Sequence, residues 1–191
     1  MTIRAFVGLD LPGPAVWALE GAQAGLPVGR PVPAENFHVT LAFLGEHPGP
    51  VIEDVHYALE GLRAPAFSIA IEGVGLFGGG APTSLHARVA ADPGLAHLRD
   101  KVAQAARSAG VRLAAERYVP HVTLARFPKG GLRGEDAVDI QKFVASRLSL
   151  KTGWFEVEDF VLFRSRLGKA ASYEALARYP LASYSAMGAG W

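Results

Sequence analysis

Cysteine is absent from the 191 residues. That excludes disulfides, thiolate catalysis and Cys-based zinc sites, and it leaves the redox compartment open. Neither sign of charge dominates, because 19 Lys and Arg stand against 18 Asp and Glu for a formal net charge of +1. With no bulk basic character, a nucleic-acid substrate would have to be held by a local cluster of cations. Long apolar runs are missing too, and no stretch approaches the ~18 residues that a membrane span requires. The apolar run Ile3–Leu11 is short and broken by Asp10, which suits a strand better than a targeting peptide. The default expectation is therefore a cytoplasmic chain without a membrane partner, and a monomer. Its 50% hydrophobic and 19% charged residues are the composition of a folded protein with a real core. One bilobal domain is expected over residues 1–182, followed by a mobile tail over 183–191.

The strongest positive feature is a tetrad written twice. His38-Val39-Thr40-Leu41 recurs as His121-Val122-Thr123-Leu124, each followed by Ala and lying inside an apolar run. In a strand, residues i and i+2 share a face. Each copy thus offers a His and a Thr on one face, with Val39, Leu41 and Phe43, or Val122 and Leu124, on the other. An imidazole beside a hydroxyl is costly to bury unless both find partners. Two such faces half a chain apart suggest two half-sites meeting across one cleft.

The remaining pattern alternates strands and helices. Strands are expected at Ile3–Leu11, at Phe37–Leu44 with a stop at Gly45, at Phe67–Phe77 and at Thr83–Ala90. A further strand carries the second tetrad, a short one is expected at Val111–Ala115, and Trp154–Arg164 and Ser172–Leu176 close the chain around a turn at Gly168. Helices are expected from about Pro12 to Ala24, over Pro50–Leu62 and over Asp136–Leu148. The clearest helix has Asp92 as N-cap, Pro93 in its first position and Gly110 at its end. The class is α+β: two pseudo-symmetric lobes, each a largely antiparallel sheet backed by helices, around a central cleft carrying both tetrads.

Two histidines and two threonines without a thiol or a metal triad suit general acid–base catalysis. Imidazole titrates near pH ~6.5, so one ring can be neutral while its partner is protonated. In-line displacement at phosphorus places nucleophile and leaving oxygen on opposite sides, and threonine hydroxyls can bond the non-bridging oxygens. Paired histidines also raise the possibility of a metal, but each tetrad supplies one His and zinc takes three or four protein ligands. No metal or other cofactor is expected.

The two H-x-T-L tetrads resemble the hallmark of the two-histidine (2H) phosphoesterases. The flanks resemble one branch, the bacterial and archaeal RNA 2′,3′-cyclic phosphodiesterases, historically called 2′-5′ RNA ligases. Phe6-Val7-Gly8-Leu9-Asp10-Leu11-Pro12 is similar to their opening strand, and Asn36-Phe37-His38 through Gly45 to their first motif. Pro120-His121 through Arg126 is similar to the second motif, and Leu162 through Leu167 with Tyr173-Glu174-Ala175-Leu176 to the closing hairpin. The likeness spans about residues 3 to 182. It implies hydrolysis of RNA 2′,3′-cyclic phosphate ends to 2′-phosphomonoesters, with 2′-5′ joining as the reverse type of chemistry. It further implies His38 as proton donor, His121 as proton acceptor, and Thr40 and Thr123 as phosphate-holding residues. The symmetry of the motifs does not by itself say which His does which.

Other residues stay open. Arg126 could pair with phosphate, but strict alternation puts it opposite His121 and Thr123 unless the strand ends or bulges there. Phe6 could stack on a base or pack in the core. His86 stands where the family often has an aromatic; it is either a partly exposed strand residue or a third imidazole lining the cleft. His47, His56 and His97 read as solvated residues of loops and helices. Arg4, Arg88, Arg117, Arg164 and Arg166 could form a basic rim. Two other functions remain: a 2H phosphodiesterase for a small cyclic nucleotide or a 2′-5′ oligonucleotide, and a non-catalytic nucleotide- or RNA-binding module.

Overall fold

Alternating strand residues bury one face of each of two sheets, and the helices cover those faces. The computed structural model describes residues 1–115, 117–168 and 171–182. Chain order is β1 (Thr2–Asp10), α1 (Gly13–Gln23), β2 (Arg30–Pro31), a 3-10 turn (Ala34–Asn36), β3 (His38–Pro48), α2 (Gly49–Glu60) and β4 (Phe67–Phe77). There follow β5 (Ser84–Val89), α3 (Pro93–Ser108), β6 (His121–Arg126), α4 (Gly134–Ala145), β7 (Lys151–Val157), β8 (Asp159–Arg166) and β9 (Ser172–Pro180). One sheet runs β3-β1-β8-β9 and the other β2-β6-β5-β4-β7. Every paired strand is antiparallel.

The two-lobed α+β architecture is therefore present, with one tetrad strand in each sheet. The lobes are not the two halves of the sequence, since β8 and β9 complete the sheet that β1 began. Helix α2 packs on β1, β3 and β9, while α3 bridges β3 of one sheet to β4 of the other. Helix α1 lies on β6 and β7 of the second sheet. Asp92 caps α3 by accepting the Leu95 N–H at 3.0 Å, as its sequence position predicts. A continuous core runs through both lobes, from Val7, Leu9 and Val39 to Ile69, Leu85, Val122 and Leu124.

Three expectations about elements are corrected. Strand β3 does not stop at Gly45; that residue takes φ +85° and the strand runs on to Pro48. Val111–Ala115 forms no strand. Trp154–Arg164 is not one strand, because the strand is interrupted at Glu158 and its two parts join different sheets. The tail expectation for 183–191 lies outside the described residues.

Candidate active site

The two tetrads have the same burial string: His half-buried, Val buried, Thr half-buried, Leu and Ala buried, then an exposed residue. That exposed residue is Phe43 in one copy and Arg126 in the other. Strict alternation would send both to the buried face, and a bulge in each strand prevents it. Thr123 pairs with His86 and Ala125 with Leu85, so Leu124 is the extra residue. Thr40 pairs with Gly8 and Ala42 with Val7, so Leu41 is extra. One inserted residue reverses the facing of everything after it. Arg126 therefore shares the face of His121 and Thr123, and Phe43 that of His38 and Thr40. This corrects the assignment of Phe43 to the opposite face.

Each histidine is held by the same device. The Nδ1–H of His38 donates to the Asn36 carbonyl at 2.7 Å, and that of His121 to the Val119 carbonyl at 2.7 Å. A carbonyl can only accept, so the neutral rings carry their proton on Nδ1 and keep a lone pair on Nε2. His38 Nε2 lies 3.0 Å from Thr40 Oγ1, where the hydroxyl donates to it. The Tyr118 hydroxyl donates to the Thr40 carbonyl at 3.0 Å and so ties the β6 approach to β3. Burial pushes the Tyr118 phenol upward, which keeps it a donor.

Burial also holds His38 below its ordinary 6.5. The Asn36 carbonyl opposes that effect, the charges of His121 and Arg126 add to it, and Asp10 opposes it. His121 and Arg126 are thus near enough to His38 to act on its charge. A cavity of about 350 Å³ joins His38, Thr40, Phe43, Arg30 and Arg126. A second, of about 310 Å³, joins Thr40 and Phe43 to His121, Tyr118 and Arg117. The two meet at Thr40 and Phe43. Arg30 pairs in register with Arg126, and neither has a carboxylate partner among the described residues. Two unneutralised guanidinium groups beside an imidazole favour an anion.

Phe6 lines the first cavity but is only 3% exposed. Its ring packs on His38 at 4.6 Å and on Phe163 and Tyr173 at 4.9 Å each. It has no free face for a base, so base stacking is replaced by support of His38. Of the candidate rim, Arg4 and Arg117 line the site cavities, while Arg164 and Arg166 line an adjoining depression. Arg4 pairs with Glu46 at 3.7 Å and Arg166 with Glu174 at 2.6 Å. Arg88 is exposed and pairs in register with His121.

The partly exposed reading of His86 is corrected: it is 5% exposed and packs against His121. His47 lies in β3 with Nε2 donating to the Leu44 carbonyl at 2.9 Å. His56 on α2 is hydrogen-bonded to the Tyr179 hydroxyl at 2.8 Å, so neither is simply solvated. Among the described residues, no group of three or more His, Cys, Asp or Glu is placed to hold a metal. No helix among them is long and apolar enough to cross a membrane.

Sequence reasoning missed Asn36, Arg30, Tyr118 and Gln23 as site residues. Asn36 is a buried polar residue whose Nδ2 donates to the Ala171 carbonyl at 2.7 Å, holding the approach to β3 against the start of β9. Its place two residues before His38 was the available signal. Gln23 and Tyr118 act through contacts distant in sequence and left none.

Residues 18–169 match the family model described as the 2′-5′ RNA ligase superfamily. An RNA 2′,3′-cyclic phosphodiesterase of Geobacillus stearothermophilus is 30% identical over 183 residues, covering 92% of this chain and 56% of that protein. One of Aeropyrum pernix is 36% identical over 107 residues, covering 55% of this chain and 60% of that one. The chain thus spans less than two thirds of the length of either relative. The crystal structure of E. coli LigT complexed with 3′-AMP superposes with a TM-score of 0.78 at 23% identity, over 95% of this chain and 99% of that one.

Proposed function

The chain belongs to the 2′-5′ RNA ligase superfamily, and from that premise we propose that it hydrolyses RNA 2′,3′-cyclic phosphate ends to 2′-phosphomonoesters. The observation that carries the reading is the matched pair of histidines on facing strands, each with Nδ1 anchored to a carbonyl and Nε2 turned to proton transfer, His38 Nε2 meeting the Thr40 hydroxyl in the free site. The names of the Geobacillus and Aeropyrum relatives support the substrate class.

In this mechanism water attacks phosphorus in line with the bond to O3′. His121 Nε2 takes the water proton as the P–O bond forms, and His38 Nε2–H protonates O3′ as its bond to phosphorus breaks. The phosphate stays on O2′. Thr40, Thr123 and Arg126 hydrogen-bond the non-bridging oxygens, where charge accumulates. With an RNA 5′-hydroxyl in place of water as nucleophile, the same step forms the P–O5′ bond, breaks P–O3′ and gives 2′-5′ joining. His38 is the donor by resemblance, and its depressed proton affinity fits that role only with substrate bound, when the phosphate charge offsets burial. We propose further that residues 1–182 act as one bilobal, monomeric unit in the cytoplasm.

The test is turnover of an oligonucleotide ending in a 2′,3′-cyclic phosphate under excess chelator, beside a cyclic mononucleotide. Conversion to a 2′-phosphate is expected, with His38→Ala and His121→Ala each reducing kcat by about 10²–10⁴-fold. Preference for the mononucleotide would move the substrate to small cyclic nucleotides. Absence of turnover by the folded wild type would overturn the reading in favour of a binding module.

A further inference from the structure

Both histidines of the site stand in slots made of rings, and the two slots are built differently. His38 is flanked by Phe6 at 4.6 Å and Tyr173 at 5.1 Å, the latter edge-on at 87°. His121 is flanked by Phe77 at 4.8 Å and 77° and by His86 at 5.5 Å and 71°. Phe77 and His86 stack on each other at 3.9 Å and 17°, so the three rings form one cluster. Where one half uses two phenyl-type rings, the other uses a phenylalanine and an imidazole.

We infer that His86 is a positioning residue for His121: braced by Phe77 and Gly75, its ring forms one wall of the slot that fixes the plane of the His121 imidazole. This rests on the reading of His121 as proton acceptor. His86 is nearly buried, so it is a wall and not a contact for substrate. Behind it lies Gly75, its register partner on β4, and a Cβ there would meet His86 Nε2 at 2.9 Å and Cε1 at 3.1 Å. The ring thus occupies the space a side chain at this position would need, and the missing side chain of Gly75 is what lets it lie where it does.

The chemistry of the ring fits a wall. His86 Nδ1 is buried with no hydrogen-bond partner among the described groups. Charge is disfavoured by burial first, then by His121 and Arg88, the charged and titratable groups facing it. The wall stays uncharged while the neighbouring imidazole takes up and releases its proton.

Three variants test this in the whole protein. His86→Phe keeps a ring and is expected to hold kcat within about threefold, whereas His86→Ala removes the wall and lowers kcat about tenfold with KM within about twofold. Gly75→Ala pushes the ring from behind and is expected to lower kcat in the presence of His86. In the Gly75→Ala/His86→Ala double variant there is no ring to push, so the effect of Gly75→Ala disappears. An equal Gly75→Ala effect in both backgrounds, or an activity loss in His86→Phe as deep as in His86→Ala, overturns the inference. The 15N-detected His121 ring resonances report the slot independently of turnover. They are expected to move in Gly75→Ala and His86→Ala and to be indifferent to Gly75→Ala once His86 is gone. If they are unmoved throughout, the inference fails even where the catalytic reading stands. If they move as expected in a protein that turns over no cyclic phosphate, the catalytic reading alone fails.

Discussion

At the scale of single residues, the balance of forces on His38 sets a measurable pH dependence. Burial and the Arg126 charge hold its proton affinity down in the free site. A donor must enter the reaction protonated, so activity is lost as pH rises through its pKa. The kcat/KM profile reports the free enzyme and kcat the complex. Bound phosphate places negative charge beside the ring and raises its proton affinity. The basic limb of kcat is therefore expected at higher pH than that of kcat/KM, and coincident limbs would remove His38 from the donor role. Arg126→Met separates two effects of one residue. Loss of a charge-assisted contact worth about 1.5–3 kcal/mol raises KM about 10–100-fold, while loss of its positive charge moves the basic limb of kcat/KM upward. Initial-rate profiles of both proteins check the pair of outcomes.

At the scale of elements, the bulges decide which side chains reach the cleft. The carbonyl of Leu124, the inserted residue of β6, accepts the Val32 N–H at 2.8 Å and the Gln23 Nε2–H at 2.7 Å. The same Gln23 amide also donates to the Val32 carbonyl at 2.8 Å, so the last residue of α1 joins β6 to the segment after β2. Gln23→Ala removes both bonds. It is expected to cost about 1–2 kcal/mol of stability by urea melts and to raise KM several-fold with kcat little changed, because Arg126 lies only two residues beyond the inserted Leu124. A KM equal to wild type would show that β6 holds its bulge without Gln23. The bulges also mark where the sequence stops being readable. Alternation correctly placed His38 with Thr40 and His121 with Thr123, because neither bulge falls inside those pairs. It failed at Phe43, and left Arg126 open, because an inserted residue is a property of strand pairing and leaves no mark on local periodicity. The break at Glu158 was equally hidden, since strand propensity is high on both sides and only sheet membership changes. The walls around the histidines come from Phe6, Tyr173, Phe77 and His86, which lie on other strands and become neighbours only through long-range pairing.

At the scale of the whole molecule, the imidazoles that build the site also bear on its folding. An unfolded chain offers His86 its ordinary 6.5, whereas burial in the folded site pushes it down to about 4. Between those values the unfolded state binds more protons, so folded stability falls as pH falls. The contribution is fully present above about 6.5 and is lost progressively toward 4. His38 is shifted in the same direction and adds to the same slope. Carboxylates change protonation over part of this range too, and a comparison with His86→Phe isolates the imidazole. The phenyl ring fills the slot but takes up no proton, so its stability is expected to fall less between pH 7 and pH 4.5. The difference for His86 is on the order of 2 kcal/mol. Urea midpoints of wild type and His86→Phe at the two pH values measure it directly. Parallel losses in the two proteins would mean that His86 is as free to charge in the folded molecule as in the unfolded chain, which its burial against Phe77 and His121 does not allow.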